Sequence, residues 1–159
     1  MNTRGWALAL FLFQTPASPR PAIASTVKFE RLEPGGWVLK VAVTNRSAGS
    51  VSIAHDSIPW ETRDAIILVA VTADYRQAVL EQSHAIEDPA PGSLDIGAGE
   101  TIRGTIRLER RFPTLQATLR DRSVIVFWSF KLEMSAGGAL DRANGAVVLP
   151  PAGSKRALQ

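Results

Sequence analysis

The chain has 159 residues, 45% of them hydrophobic and 21% charged, with a formal net charge of +3 and a pI near 9.8. That length and balance suit one ordinary globular domain and exclude disordered and collagenous classes. The absence of cysteine excludes disulfides, thiolate metal sites and a cysteine nucleophile.

At the N-terminus Arg4 precedes an unbroken apolar run from Trp6 to Phe13, and a Pro-containing stretch leads to Ala22-Ile23-Ala24-Ser25. A positive start, a short apolar segment and an Ala-x-Ala site predict a secretory signal peptide over residues 1–24, and so a periplasmic or secreted protein. Eight apolar residues are too few for a membrane span, and no later run reaches that length. Cleavage is expected after Ala24, with Ala17 as the alternative. Cutting after Ala24 removes Arg4 and Arg20 and leaves 16 basic against 15 acidic residues, a net of +1. Such a domain has no electrostatic reason to seek phosphate backbones, so nucleic acid is not an expected partner.

From there apolar residues recur with a period of two, the strand signal. A first strand is predicted over Thr26 to Leu32, then a turn at Glu33-Pro34-Gly35-Gly36. A second covers Trp37 to Thr44, with Leu39, Val41 and Val43 inward and Lys40 and Thr44 outward. After the Asn45-to-Ser50 turn come a short strand, Val51 to Ala54, and an irregular segment through Ser57-Ile58-Pro59-Trp60. Ala65 to Thr72 is apolar at both parities and predicts a central strand covered on both faces. A turn at Asp74 to Gln77, a short returning strand at Ala78 to Glu81 and a long loop from Gln82 to Ser93 follow. Leu94 to Glu100 reads as a tight connection into Thr101 to Leu108, where Ile102, Gly104, Ile106 and Leu108 alternate with Thr101, Arg103, Thr105 and Arg107. One helical turn is expected within Thr114 to Arg122. Ser123 to Leu132 is the strongest core strand, and Asn144 to Leu149 the last, stopped by Pro150-Pro151. The domain is expected over residues 25–150 and a flexible tail over 151–159. The fold class is all-β: a two-sheet antiparallel β-sandwich of seven to nine strands.

Four segments carry a resemblance. They are Val41-Ala42-Val43-Thr44-Asn45-Arg46-Ser47, Ile58-Pro59-Trp60, Leu94-Asp95-Ile96-Gly97-Ala98-Gly99-Glu100 and Val126-Phe127-Trp128. Their layout resembles the immunoglobulin-like β-sandwich modules of exported bacterial proteins, and covers roughly Val27 to Leu132. It is also similar to β-domains that accompany some secreted metalloproteases and to sandwich-type bacterial proteinase inhibitors. Asn45 can take left-handed backbone in its turn, and Gly97 or Gly99 can do the same before the strand. No His-Glu-x-x-His occurs, so the metalloprotease chemistry is missing. Fold alone carries no function.

The chemistry-bearing residues are few. His55-Asp56-Ser57 are consecutive, and three adjacent residues do not make the converging geometry of a triad. A metal-dependent enzyme would need His55 and Asp56 to meet His84 from another loop, and nothing in the spacing supports that. Glu87-Asp88 with Asp95 lacks the alternating ligand pattern of a calcium loop. No cofactor and no catalytic site are expected. Two surfaces remain as candidate partner sites. One is the Ser57-to-Trp60 segment, with Ile58, Pro59 and Trp60 either anchoring an interface or forming an inhibitory loop in a protease cleft. The other is the arginine set Arg103, Arg107, Arg110 and Arg111, followed by Arg120 and Arg122. These suit an anionic glycan, a lipid head group or an acidic protein, or protect a sheet face with Glu109 and Asp121 as counter-charges. Trp60 has a second role open to it, folding back to plug the end of the sandwich. The expected function is therefore a non-enzymatic exported binding or accessory module, with proteinase inhibition and metal-dependent catalysis as the alternatives. The partner and the oligomeric state are not legible.

Overall fold

The computed structural model describes residues 22–32, 36–83, 91–137 and 140–152. Among them eight strands form mostly antiparallel sheets: β1 (Ile23–Arg31), β2 (Trp37–Asn45), β3 (Val51–Ala54), β4 (Ile66–Thr72), β5 (Ser93–Ile96), β6 (Thr101–Arg107), β7 (Val124–Phe130) and β8 (Ala143–Leu149). Two helical turns, α1 (Leu108–Arg111) and α2 (Leu115–Thr118), lie between β6 and β7. The sheet orders are β1-β2-β6, β3-β5 and β4-β7-β8.

Alternation dictates the packing. Leu39, Val41 and Val43 of β2 point one way and are fully buried, while Lys40 between them is exposed. Leu68 and Ala70 of β4 and Val124, Val126 and Phe130 of β7 do the same in the other sheet. All of these belong to one apolar cluster, so the inner faces of the two three-stranded sheets share a core. Leu108, Phe112, Leu115 and Leu119 from α1, α2 and their flanks join it as buried residues.

Several expectations change. β1 begins at Ile23, which is buried and pairs with Asn45, while Ala24 pairs with Thr44. A cut after Ala24 therefore falls inside a paired strand. The apolar run, the Ala17 position and the 153–159 part of the tail lie outside the described residues. β4 is covered on one face only: Ile67 is 57% exposed and Val69 37%. Beside it the Ala78-to-Leu80 segment returns as expected, with the Leu80 N–H donating to the Ala70 carbonyl at 2.8 Å and the Thr72 N–H to Ala78 at 2.9 Å. β5 replaces the end of the expected loop and the start of the tight connection, because Ser93 to Ile96 pairs with β3. β6 stops at Arg107, and Leu108 starts α1 instead of ending the strand. A buried apolar residue at that position satisfies either periodicity.

Asn45 is not left-handed; its role is a buried polar hub. Its Nδ2 donates to the Gly49 carbonyl (2.7 Å) and the Ile96 carbonyl (2.8 Å), and its Oδ1 accepts from Ser47 N–H and Oγ. Its own N–H donates to Glu100, and its carbonyl accepts from Gly99. Two of the quoted motifs thus close on each other. Gly99 supplies the left-handed residue this requires, at φ +76°, whereas Gly97 does not.

Candidate functional site: an arginine-lined cleft beside Trp60

The site grows out of β6. Alternation sends Arg103, Thr105 and Arg107 outward and leaves Gly104 on the inner face. Gly104 carries no side chain, and the indole of Trp60 lies on the space so left. A Cβ there would stand 1.9 Å from Trp60 Cγ and Cδ2. Trp60 thus folds inward: it is half-buried and packs against the core. A parallel arrangement occurs in the other sheet, where a Cβ at Gly145 would stand 2.7 Å from Trp128.

After Arg107 the chain turns into α1, which brings Arg110 and Arg111 to the same concavity as Arg107. Trp60, Arg63, Thr105, Arg107, Arg110 and Arg111 line one cleft of about 360 Å³. The base of this cleft is tied by a cyclic set of bonds. Arg63 Nη2 donates to the Ser83 carbonyl, the Ser83 N–H donates to the Arg111 carbonyl (2.9 Å), and Arg111 Nη1 donates to the Arg63 carbonyl (3.1 Å). Arg63 and Arg111 are thereby held in place. Arg107 and Arg110 stay exposed, and no carboxylate lines the cleft among the described residues. The expected counter-charge Glu109 is engaged elsewhere, accepting the N–H of Trp37 at the start of β2. Asp121 lies 3.8 Å from Arg122, which also reaches Asp74 at 3.5 Å. Neither acid neutralises Arg107 or Arg110. The two exposed guanidinium groups, Arg107 and Arg110, at one concavity suit carboxylate, sulfate or phosphate groups, which Arg binds through paired N–H donors.

The six sequence-selected arginines are thus split. Arg107, Arg110 and Arg111 meet Trp60; Arg103 lies on the open sheet face; Arg120 and Arg122 lie apart from the cleft. Arg63 was missed, since a lone Arg in an irregular segment carries no periodic signal. The Ser57-to-Trp60 segment does not project. Ser57 and Pro59 are buried and Ile58 is 0% exposed, because Ile58 enters the core and its carbonyl accepts from Glu61 and Thr62. An inhibitory loop needs these residues extended in solvent, so Ile58 and Pro59 are no partner surface.

Ser57 Oγ donates to the Ala54 carbonyl (2.8 Å) and accepts from the Glu133 N–H (3.0 Å), so its hydroxyl serves backbone and not His55. The His55 Nδ1 is buried without a partner among the described residues. His84, Glu87 and Asp88 lie outside the described residues, and no group of three metal-ligating side chains occurs among those described. No helix among the described residues is long and apolar enough to cross a membrane.

No family model and no curated protein matches this chain. Among solved structures it is similar to a Bordetella pertussis protein provisionally assigned as ApaA, at 11% identity and a TM-score of 0.44, covering 83% of this chain and 95% of that one. A second, the structural-genomics target SoR45, is 11% identical with a TM-score of 0.41, covering 87% of this chain and 93% of that one.

Proposed function

We propose that the protein is an exported, non-enzymatic binding module of immunoglobulin-like form that holds an anionic partner in the cleft beside Trp60. The observation that carries this is the exposed pair Arg107 and Arg110 at one concavity beside Arg63 and Trp60, with no acidic side chain among the described residues of its lining. The strand order supports the fold reading: β1-β2-β6 facing β4-β7-β8 follows the A-B-E and C-F-G arrangement of that fold, with β5 leaving its usual neighbour to pair with β3. Export rests on the N-terminal apolar run, and removal of the leader upstream of Ile23, as after Ala17, keeps β1 whole.

Calorimetric titration with sucrose octasulfate, a compact polysulfated sugar, tests the cleft. Micromolar binding is expected, weakened at least tenfold in the double variant Arg107→Gln, Arg110→Gln, since each lost charge-assisted contact is worth about 1 kcal/mol or more. The melting temperature should not move, because both side chains are exposed. Absence of binding by the unaltered chain overturns the cleft, and turnover of any substrate in a hydrolase panel overturns the non-enzymatic assignment.

A further inference from the structure

We infer that the ligand is a linear acidic polysaccharide that runs along β6, from the Trp60 cleft onto the open face of the β1-β2-β6 sheet. This rests on the anion-binding reading of the cleft and extends it to a ligand class. The cleft does not end at Arg107: Thr105 lines both it and a shallow groove on the outer sheet face that holds Lys28, Lys40 and Arg103. The register makes the two parts continuous. Lys28 pairs with Lys40, Lys40 with Thr105, and Arg103 and Arg107 flank Thr105 two residues to either side on the same face.

Four residue steps along β6 separate Arg103 from Arg107 by roughly 13 Å, more than a compact anion spans. Lys40 shares its charge with Glu30 in an ion pair, while Lys28 and Arg103 make no ion pair among the described residues. Between the cations the groove is floored by Thr26, Thr44, Thr101 and Ala42, which offer hydroxyls to a sugar ring and no bulk to obstruct it. The large exposed hydrophobics among the described residues all lie off β1, β2 and β6, so the track offers none to insert into a lipid layer. It also lacks an open aromatic platform: Trp60 is half-buried with its ring against Gly104. Single-stranded nucleic acids depend on such stacking.

The test uses the full chain with size-fractionated heparin oligosaccharides, from disaccharide to dodecasaccharide, at fixed low salt. Affinity should climb at least tenfold with length and then level off. Arg103→Gln should weaken the dodecasaccharide about fivefold and leave the disaccharide unchanged, whereas Arg110→Gln should weaken both. The dependence of the dodecasaccharide affinity on salt should become shallower in Arg103→Gln, because one fewer cation is neutralised. Length-independent affinity, or a dodecasaccharide indifferent to Arg103→Gln, overturns the track and leaves the cleft standing. Failure of every length to bind overturns the cleft as well. An oligo-dT of matched length binding as tightly as the dodecasaccharide overturns the polysaccharide assignment in favour of nucleic acid.

Discussion

The two three-stranded sheets face solvent in opposite ways. The outer face of β1-β2-β6 carries Lys28, Glu30, Lys40, Arg103 and Arg107 among threonines. On β4-β7-β8 the nine outward ladder positions hold no ionisable residue at all, and Ile67, Val69, Phe127 and Val148 stand exposed among them. Both sheets bury their other face in one core. The difference teaches that core packing and surface charge are set separately here: the inward residues of both sheets are buried alike, and only the outward residues of the first carry charge.

The largest expected effect contrasts neighbours on β4. Leu68→Ala should cost about 3 kcal/mol by chemical denaturation, through lost burial and the cavity left behind. Ile67→Ala, one residue away and facing out, should cost under about 1 kcal/mol. Equal losses would mean that the outer face of β4 is covered after all. Next, Asn45→Ala should cost about 2 kcal/mol, because the Ile96 carbonyl loses its buried donor and the Ser47 turn its acceptor. A loss of a few tenths would show that water replaces the hub.

Gly104→Ala and Gly145→Ala compare the two indole-covered glycines. The new methyl at 104 meets the Trp60 ring and should cost about 2 kcal/mol; at 145 it meets the edge of Trp128 at a longer distance and should cost less. Adding Trp60→Ala to Gly104→Ala should give a double-variant loss smaller than the sum of the single losses. Additivity of those two losses would remove the contact as the cause.

The smallest effect is a pH dependence at the end of β4. The Thr72 hydroxyl, which bonds Asp74 Oδ1 at 2.9 Å, holds that carboxyl below its ordinary value, helped by the backbone N–H groups of Arg76 and Gln77 and by Arg122, and opposed by desolvation. A depressed folded pKa means that the unfolded chain takes up the proton first. The stabilisation is therefore complete above about pH 4 and is lost as pH falls through the folded value. Asp74→Asn should flatten the acid limb of a melting-temperature profile slightly, and an unchanged limb would contradict the Thr72–Asp74 bond.

Much of this was legible along the chain. The alternation in Thr101–Arg107 and Val124–Phe130 determined strands and their inner faces, because a period of two leaves the backbone one way to bury Ile106 or Val126. The turn chemistry of Asp74–Gln77 was equally local. β4 misled because Ile-Ile-Leu-Val-Ala-Val is apolar at both parities, and local sequence cannot say which face a neighbouring layer will cover. Four-residue β5 is too short for any periodicity to show.

The cleft belongs to the same class of hidden fact. Composition and spacing by themselves determined an all-β chain with a basic stretch between residues 103 and 122 and a tryptophan free to fold inward. Only the tertiary structure decided which of those arginines lie together, since that depends on the turn from β6 into α1 and on the Arg63–Ser83–Arg111 bonds. It also decided that Ile58 and Pro59 are core and not surface. Guanidinium groups act through space over a few ångströms, and proximity between residues 63, 107 and 111 is set by long-range packing that no local pattern encodes.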